Sequence, residues 1–302
     1  MRRFTRYLPI LLCSIVLVGC QSTSLGSLSK ADFIQNYPNA EHGRKIKFGS
    51  KKVNAQMIHQ TENLSFSLEG KNAEMEKKSV GEIAHLYRSD GRVSSVELFE
   101  LSNVFTVNGQ NKGFTKKGSR SSPLIQLGMF FDVSDNFVMA DVKMDTTISK
   151  GNDLPPDATD MFGKIFGVAF ENQFSLSGKT VRIGDVDTSI GKFFTKPLRA
   201  MMEQMNKKGS KTFELDFNWF PRLEQARNGQ AIFQCRKSER NCTVSFKFGP
   251  ATGQGICDGR FIVSISYSAL VREDLLCDGW LEAEGKRALG VMRSRRDMDV
   301  LR

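Results

Sequence analysis

One spacing in the sequence suits nucleophilic catalysis, namely Ser189-Ile190-Gly191-Lys192. Residues three apart lie one turn from each other on a helix, so the Lys192 amine could take the proton of the Ser189 hydroxyl and activate it for acyl transfer. Enzymes that use this pair also carry S-D-N and K-T-G segments, and neither follows the pair here. We therefore favour Ser189 as a helix cap and keep the nucleophile as the alternative.

The first twenty residues have the features of an export signal. A head with three arginines precedes an apolar run from Tyr7 to Val18. That run is too short to cross a bilayer of about 30 Å comfortably as a helix, but it suits a signal peptide. It ends in Leu17-Val18-Gly19-Cys20, which resembles the lipobox of bacterial lipoproteins.

The lipobox resemblance implies a modification and an address. Residues 1–19 would be removed, and Cys20 would carry acyl chains such as palmitate that hold the chain on a bilayer. In that family a residue other than Asp after the cysteine favours the outer membrane, and Gln21 stands there. We expect a protein on the periplasmic face of the outer membrane, with residues 20–40 as a flexible tether. An uncleaved membrane anchor is the alternative.

The six cysteines divide into two groups. Cys13 lies in the signal and Cys20 in the lipobox, and the other four lie in the last third of the chain: Cys235, Cys242, Cys257 and Cys277. An even number in an exported protein predicts two disulfides. Three pairings are possible, and we expect the sequence neighbours, Cys235–Cys242 and Cys257–Cys277. The spacings disfavour a zinc site, which needs closer ligand pairs.

The histidines give no sign of a catalytic or metal site. His42, His59 and His85 are isolated, and the sequence has neither H-E-x-x-H nor G-x-S-x-G. We therefore predict no catalytic residue, no metal and no cofactor.

Clusters of basic residues are the more informative feature. The whole chain has a charge of +10, which falls to about +7 once the three arginines of the signal are removed. The predicted anion-binding patch comprises Arg44, Lys45, Lys47, Lys51, Lys52, Lys116, Lys117 and Arg120. In an envelope such residues would attract lipopolysaccharide, phospholipid headgroups or peptidoglycan carboxylates. An ordinary solvated surface is the alternative interpretation, and we expect no nucleic-acid partner.

The apolar pattern predicts an α+β fold that is mainly antiparallel sheet. Apolar and polar residues alternate in "TFELDFNWF", "TVSFKF" and "RFIVSISYSAL", which is typical of strands with one wet face. "SDGR" and "EGKR" predict hairpin turns. Helical spacing and end signals predict two helices, at residues 155–171 and 188–209. A break near residue 152 predicts two domains, a β-rich one at 41–152 and an α+β one at 153–302.

Two further stretches resemble periplasmic lipoproteins built as curved antiparallel sheets. They are "FSLSGKTVRIGDV" and the closing "GWLEAEGKRALGVMRSRR". The resemblance implies a curved sheet or half-barrel whose concave apolar face holds a lipid, and it assigns no functional residue.

These observations favour a non-enzymatic function. We expect a lipid-anchored protein that binds a lipid, glycan or protein partner of the envelope. One alternative is an envelope hydrolase or transpeptidase-like enzyme that uses Ser189 and Lys192. The other is a structural subunit of a membrane complex.

Overall fold

The computed structural model describes residues 41–68, 71–90, 92–111, 118–131, 137–144, 176–187, 190, 213–248 and 250–301.

The described residues are mostly β-strand. Fifteen strands occur in this part of the chain: β1 (Lys45–Lys47), β2 (Ala55–Leu68), β3 (Lys71–Tyr87), β4 (Val93–Val107), β5 (Gln110–Asn111), β6 (Ile125–Phe131), β7 (Phe137–Met144), β8 (Thr180–Arg182), β9 (Phe213–Trp219), β10 (Arg222–Arg227), β11 (Gln230–Cys235), β12 (Cys242–Phe248), β13 (Ala251–Ser264), β14 (Ala269–Ala283) and β15 (Lys286–Leu301).

Thirteen of these strands form one antiparallel sheet, and β1 and β8 form a separate two-stranded ribbon. The main path of the sheet runs β10-β11-β13-β14-β15-β2-β3-β4-β6-β7. Outside this path, β12 pairs with β13 on one side and with β9 on the other, and the short β5 pairs with β4. Within the described residues the two ends of the path, β10 and β7, do not pair, so the sheet is open.

The predicted strands and hairpins are largely confirmed. "TFELDFNWF" contains β9 and "TVSFKF" lies in β12. "SDGR" joins β3 to β4, and the Arg88 N–H donates to the Arg92 carbonyl at 2.8 Å. At "EGKR", Glu284 and Gly285 both have positive φ, as a tight hairpin turn between β14 and β15 requires.

One predicted strand is wrong in its extent. The alternation in "RFIVSISYSAL" suggests a single strand, but β13 ends at Ser264 and β14 begins at Ala269. Ser268 between them has a φ of 53°, a left-handed conformation that ends extended backbone. Alternation alone did not reveal this turn, because it contains no Gly, Pro, Asn or Asp.

Strands from both sides of residue 152 share the sheet. The last strand, β15, pairs with β2 along the whole of β2, from Leu301 opposite Ala55 to Ala288 opposite Leu68. The expected domain boundary itself lies outside the described residues. The two expected helices also lie outside the described residues, apart from Ile190. In the described part of the chain, the helix with assigned bounds is a short 3-10 helix at Lys237–Glu239.

Two apolar clusters lie on the same face of the sheet, which we name the core face. The larger cluster lies mainly on β10 to β14, with further residues from β1, β8 and β9, and it includes Phe233, Phe261 and Leu275, all fully buried. The smaller one lies on β3, β4 and β6 and contains Ile83, Val96, Leu127 and Met129. Polar residues on β14, β15, β2 and β3 separate the two clusters.

The two expected disulfides are present, Cys235–Cys242 and Cys257–Cys277. Cys257 and Cys277 are direct cross-strand neighbours on β13 and β14, with 4.0 Å between their Cα atoms. β11 and β12 pair with successive parts of the same edge of β13, and the Cys235–Cys242 bridge joins them at that junction.

Charged and polar contacts with neighbouring strands hold the polar loop that the Cys235–Cys242 bridge closes. The Lys237 amine donates to Asp278 at 2.6 Å, and the Lys237 N–H donates to Asp258 at 2.8 Å. Arg222 pairs with Glu239 at 3.3 Å. These contacts fix the loop between β11 and β12.

Candidate functional site

The ribbon of β1 and β8 has one apolar face and one basic face. Ile46 and Val181 lie directly opposite each other and are 8% and 7% exposed. Their neighbours on both strands point outward and are exposed. Three of these neighbours are cationic, and we name them together the basic ribbon: Lys45, Lys47 and Arg182.

Apolar packing and backbone hydrogen bonds fix the ribbon on the core face. Ile46 and Val181 belong to the larger apolar cluster, and the ring of Phe48 lies 6.2 Å from that of Phe233. The Phe48 N–H donates to the Lys179 carbonyl, and the Ile183 N–H donates to the Arg44 carbonyl, each at 2.9 Å. The basic side chains therefore project from a rigid support.

Carboxylates of the described residues do not neutralise the charges of the basic ribbon. Lys45 is directly opposite Arg182 on the ribbon, and like charges in this position destabilise a strand pair. Within the described ranges, no carboxylate lies within salt-bridge distance of Lys45, Lys47 or Arg182. Arg44 differs, because it pairs with Glu41 at 3.0 Å. An anion bound between Lys45 and Arg182 would relieve their repulsion.

The chain that follows the ribbon carries two more predicted patch residues. The Gly49 N–H donates to the Ile265 carbonyl at 2.7 Å, and the Lys51 N–H donates to the Ser266 carbonyl at 3.1 Å. Lys51 and Lys52 are exposed, and the Lys52 amine lies 5.0 Å from the centre of the Tyr87 ring. These contacts hold residues 48–53 against the β13–β14 turn and the end of β3.

The structure does not place Arg120 with the ribbon. Its guanidinium lies 3.4 Å from a carboxylate oxygen of Glu82 and 5.7 Å from the centre of the Phe99 ring. Glu82 lies on the face of β3 opposite to the core face. Lys116 and Lys117 lie outside the described residues. The predicted patch is therefore divided, and Lys45 and Lys47 form its part on the ribbon.

Arg182 was missed as a patch residue because nothing near it in the sequence points to Lys45. The two residues come together only through the pairing of β1 with β8. A usable signal was present, since "KIK" and "TVR" are both polar-apolar-polar triplets, as a half-buried strand requires. Three-residue strands are too short for such a pattern to be distinctive.

A buried acidic cluster separates the two apolar clusters of the core face. Ser294 on β15 is directly opposite Glu62 on β2, and Glu62 is opposite Lys77 on β3. Glu62 is 3% exposed and Ser294 is fully buried. Glu273, also fully buried, lies 3.8 Å from Arg296 in the neighbouring row.

The surroundings of Glu62 keep its carboxyl neutral. Burial raises the pKa of Glu62 from 4.5 to about 8. The negative charge of Glu273 adds to the rise, while the positive charges of Lys77 and Arg296 reduce it. Within the described residues neither oxygen of Glu62 has a hydrogen-bond partner. The cluster therefore combines low solvation with a carboxyl that can titrate near neutral pH.

The opposite face carries an ion network that is internally satisfied. Asp274 accepts hydrogen bonds from Arg295 and Arg260, each with a contact of 2.7 Å, and from Arg272 at 3.1 Å. Burial alone would raise the pKa of Asp274, but these hydrogen bonds and the charges of Arg260 and Arg272 hold that pKa below its usual value. We assign this network to the stability of the sheet.

The remaining candidate residues lie apart. Cys20, Ser189 and Lys192 are outside the described residues. His42 packs against Gly184, His59 is opposite Asp297 on β15, and His85 is buried opposite Val96 on β4. The described residues contain no group of three or more ligand-type side chains placed to hold a metal ion. They also contain no helix long and apolar enough to span a membrane.

Comparisons with known proteins give no family. No family model matches the sequence, and no curated protein matches it. Among solved structures, one titled "Lipid-protein interactions in lipovitellin" aligns with a TM-score of 0.38 and 8% identity, and the alignment covers 82% of this chain and 25% of that one. This chain thus spans about a quarter of that protein's length. Pseudomonas aeruginosa OccK7 (OpdD) aligns with a TM-score of 0.19 and 6% identity, over 82% of this chain and 99% of that one.

Proposed function

We propose that this protein is a lipid-anchored lipoprotein of the outer membrane, facing the periplasm, that binds an anionic component of the envelope without catalysis. The anchor is supported by the resemblance of Leu17-Val18-Gly19-Cys20 to a lipobox. The binding is supported by the basic ribbon, and the observation that carries it is the pair Lys45 and Arg182. These two cations are held opposite each other, exposed, with no carboxylate partner among the described residues.

The pair is informative because the repulsion between Lys45 and Arg182 disfavours folding, and no carboxylate among the described residues offsets it. Like charges directly opposite on paired strands destabilise, by up to about 1 kcal/mol. An anion with two or more oxygen acceptors would accept hydrogen bonds from both side chains, and charge-assisted bonds of this kind are among the stronger ones. Phosphate and carboxylate groups of envelope lipids and glycans have this chemistry.

The anchor is tested by metabolic labelling. Cells that express the full chain with labelled palmitate should incorporate the label, and the protein should fractionate with the outer membrane. The variant Cys20→Ser should lose both properties. Recovery of unlabelled wild-type protein from the cytosol would contradict the anchor.

The binding is tested by sedimentation of the purified chain without residues 1–20, which carries no acyl chain, with lipopolysaccharide, with vesicles that contain an anionic phospholipid, and with peptidoglycan. The test variant is Lys45→Glu/Arg182→Glu, which reverses both charges but keeps two like charges opposite each other. The matched control is Arg287→Glu/Arg293→Glu, which makes the same change in net charge at exposed positions of β15. Only the test variant should lose binding to the anionic component, by about tenfold or more. Equal binding by both variants would exclude the basic ribbon as the binding site.

A further inference from the structure

We propose that the basic ribbon docks on the phosphate headgroups of anionic phospholipid in the same leaflet that holds the anchor. This inference rests on the proposed lipidation of Cys20, and it names the partner of the ribbon. It predicts a defined orientation, with the ribbon towards the membrane and the opposite face of the sheet, which carries Asp274 and its arginines, towards the periplasm.

The chemistry of the ribbon fits a surface contact rather than insertion into the bilayer. The outward side chains are Lys45, Lys47, Thr180 and Arg182, all exposed, whereas the apolar Ile46 and Val181 point into the core. The ribbon therefore offers charge and hydrogen-bond donors but no apolar wedge. Phospholipid phosphates carry the matching negative charge at the depth such a surface can reach. The contact must be electrostatic and weaken with salt, over a screening length of about 8 Å at physiological ionic strength.

The strength of this contact is low for a free protein and sufficient for an anchored one. Each basic residue near an anionic membrane contributes about 1 kcal/mol, which is about fivefold in binding, so three give on the order of a hundredfold. A weak partition of this size leaves a free protein mostly in solution. A tether strengthens the binding of the ribbon. Once the anchor is in the bilayer, the contact between the ribbon and the membrane is intramolecular.

The position of Cys20 in the sequence supplies such a tether. The expected tether, residues 20–40, places roughly 20 residues between the anchor and the described chain, and the first of them are polar and rich in serine. A flexible chain of that length and composition would have an r.m.s. span of about 22–27 Å. The ribbon then stays close to the bilayer at an effective concentration in the millimolar range. Under these conditions three cations are enough to keep the protein docked.

The experiment is a footprint of lysine amines on the full chain, reconstituted into vesicles. One set contains phosphatidylcholine alone, and the other contains phosphatidylcholine with phosphatidylglycerol. A water-soluble acylating reagent labels exposed lysines, and peptide mass spectrometry measures the extent at each position. Labelling of Lys45 and Lys47 should fall severalfold on the anionic vesicles and recover in high salt. Lys247 on β12, which is 50% exposed, is the internal control and should not change.

Two variants test whether the ribbon itself makes the contact. Arg182→Gln removes the cation opposite Lys45 without removing a labelled amine and without adding a carboxylate that would pair with Lys45, so Lys45 should lose its protection on anionic vesicles. Arg293→Gln, an equal charge change on the other face of the sheet, should keep the protection of Lys45. The melting temperature of each variant shows that it is folded. Unchanged protection of Lys45 in the Arg182→Gln variant would overturn the proposal.

The same samples separate failure of the docking from failure of the anchor. The mass of the N-terminal peptide reports acylation of Cys20. An acylated protein whose Lys45 and Lys47 label equally on both vesicle types overturns the docking and leaves the anchor intact. A protein without acyl chains that is nevertheless protected overturns the anchor and supports the contact. Protection seen only when lipopolysaccharide replaces phosphatidylglycerol would overturn the choice of phospholipid as partner.

Discussion

At the scale of single residues, Glu62 combines almost complete burial with a titration near neutral pH. Its pKa in the folded protein is about 8, whereas an unfolded chain ionises near 4.5. Between these values the folded state binds a proton that the unfolded state releases. Stability from this group is therefore complete below pH 4.5 and is lost progressively as the pH rises through 8.

We predict that Glu62→Gln removes this pH dependence. Glutamine is neutral and of similar size, so the variant should match the wild type near pH 5 and exceed it at pH 8.5 by up to a few kcal/mol. Urea unfolding at the two pH values measures the difference. The control Glu282→Gln, at an exposed position, should keep the wild-type slope. The same slope in Glu62→Gln as in the wild type would contradict the raised pKa.

At the scale of elements, the segment that follows the ribbon must pass very close to the β13–β14 turn. A Cβ atom at Gly49 would lie 2.5 Å from the Ser266 carbonyl oxygen, which is closer than such atoms approach. The Ser268 hydroxyl also donates a hydrogen bond to the Gly49 carbonyl. Glycine at this position thus allows β1 to lie on the core face and β2 to enter the sheet.

We predict that Gly49→Ala destabilises the protein by about 1–3 kcal/mol, because the added methyl group must push the turn away. The neighbouring exposed Ser50→Ala should have an effect within about 0.5 kcal/mol. Chemical denaturation measures both. If the two variants are equally stable, the close approach at Gly49 is wrong.

The elements differ in how far the sequence predicted them. β9 and β12 could be predicted because several alternating residues in a row define a face, and the β14–β15 turn because Glu-Gly suits left-handed backbone. The turn at residues 265–268 was missed because its two serines fall on the polar side of an alternating pattern and it has no Gly, Pro, Asn or Asp to mark a turn. β1 was missed because three residues carry too little periodicity, and β8 was indicated only by the resemblance of "FSLSGKTVRIGDV" to curved-sheet lipoproteins. The basic ribbon depends on those two strands, so only its lysines were foreseen, through charge.

At the scale of the whole molecule, the pairing of β15 with β2 decides how the described parts hold together. This ladder joins strands from the first and last thirds of the chain. Contacts between distant parts of a chain have no signature in a single sequence, so the expected division near residue 152 was based on local composition. Two disulfides were predictable from the even number of cysteines in a chain expected to be exported, but their pairing was one of three possible arrangements.

We predict that the strands on the two sides of residue 152 unfold together. Amides of β3 and of β14 should lose protection from hydrogen exchange at the same urea concentration, because both strands are joined through β15 and β2. Exchange measured by mass spectrometry across a urea series tests this. Separate transitions for β3 and β14 would show that the shared sheet is not one cooperative unit.

We propose that the basic ribbon binds an anionic envelope component by charge. The most direct measurement is the salt dependence of binding to anionic vesicles for the wild-type sequence and for Lys45→Glu/Arg182→Glu, both without residues 1–20 so that no acyl chain inserts. Wild-type binding should be detectable at low salt and fall steeply as salt rises, because the contact is electrostatic. The variant should show no detectable binding at any salt concentration. Equal affinity and equal salt dependence in the two proteins would contradict the claim.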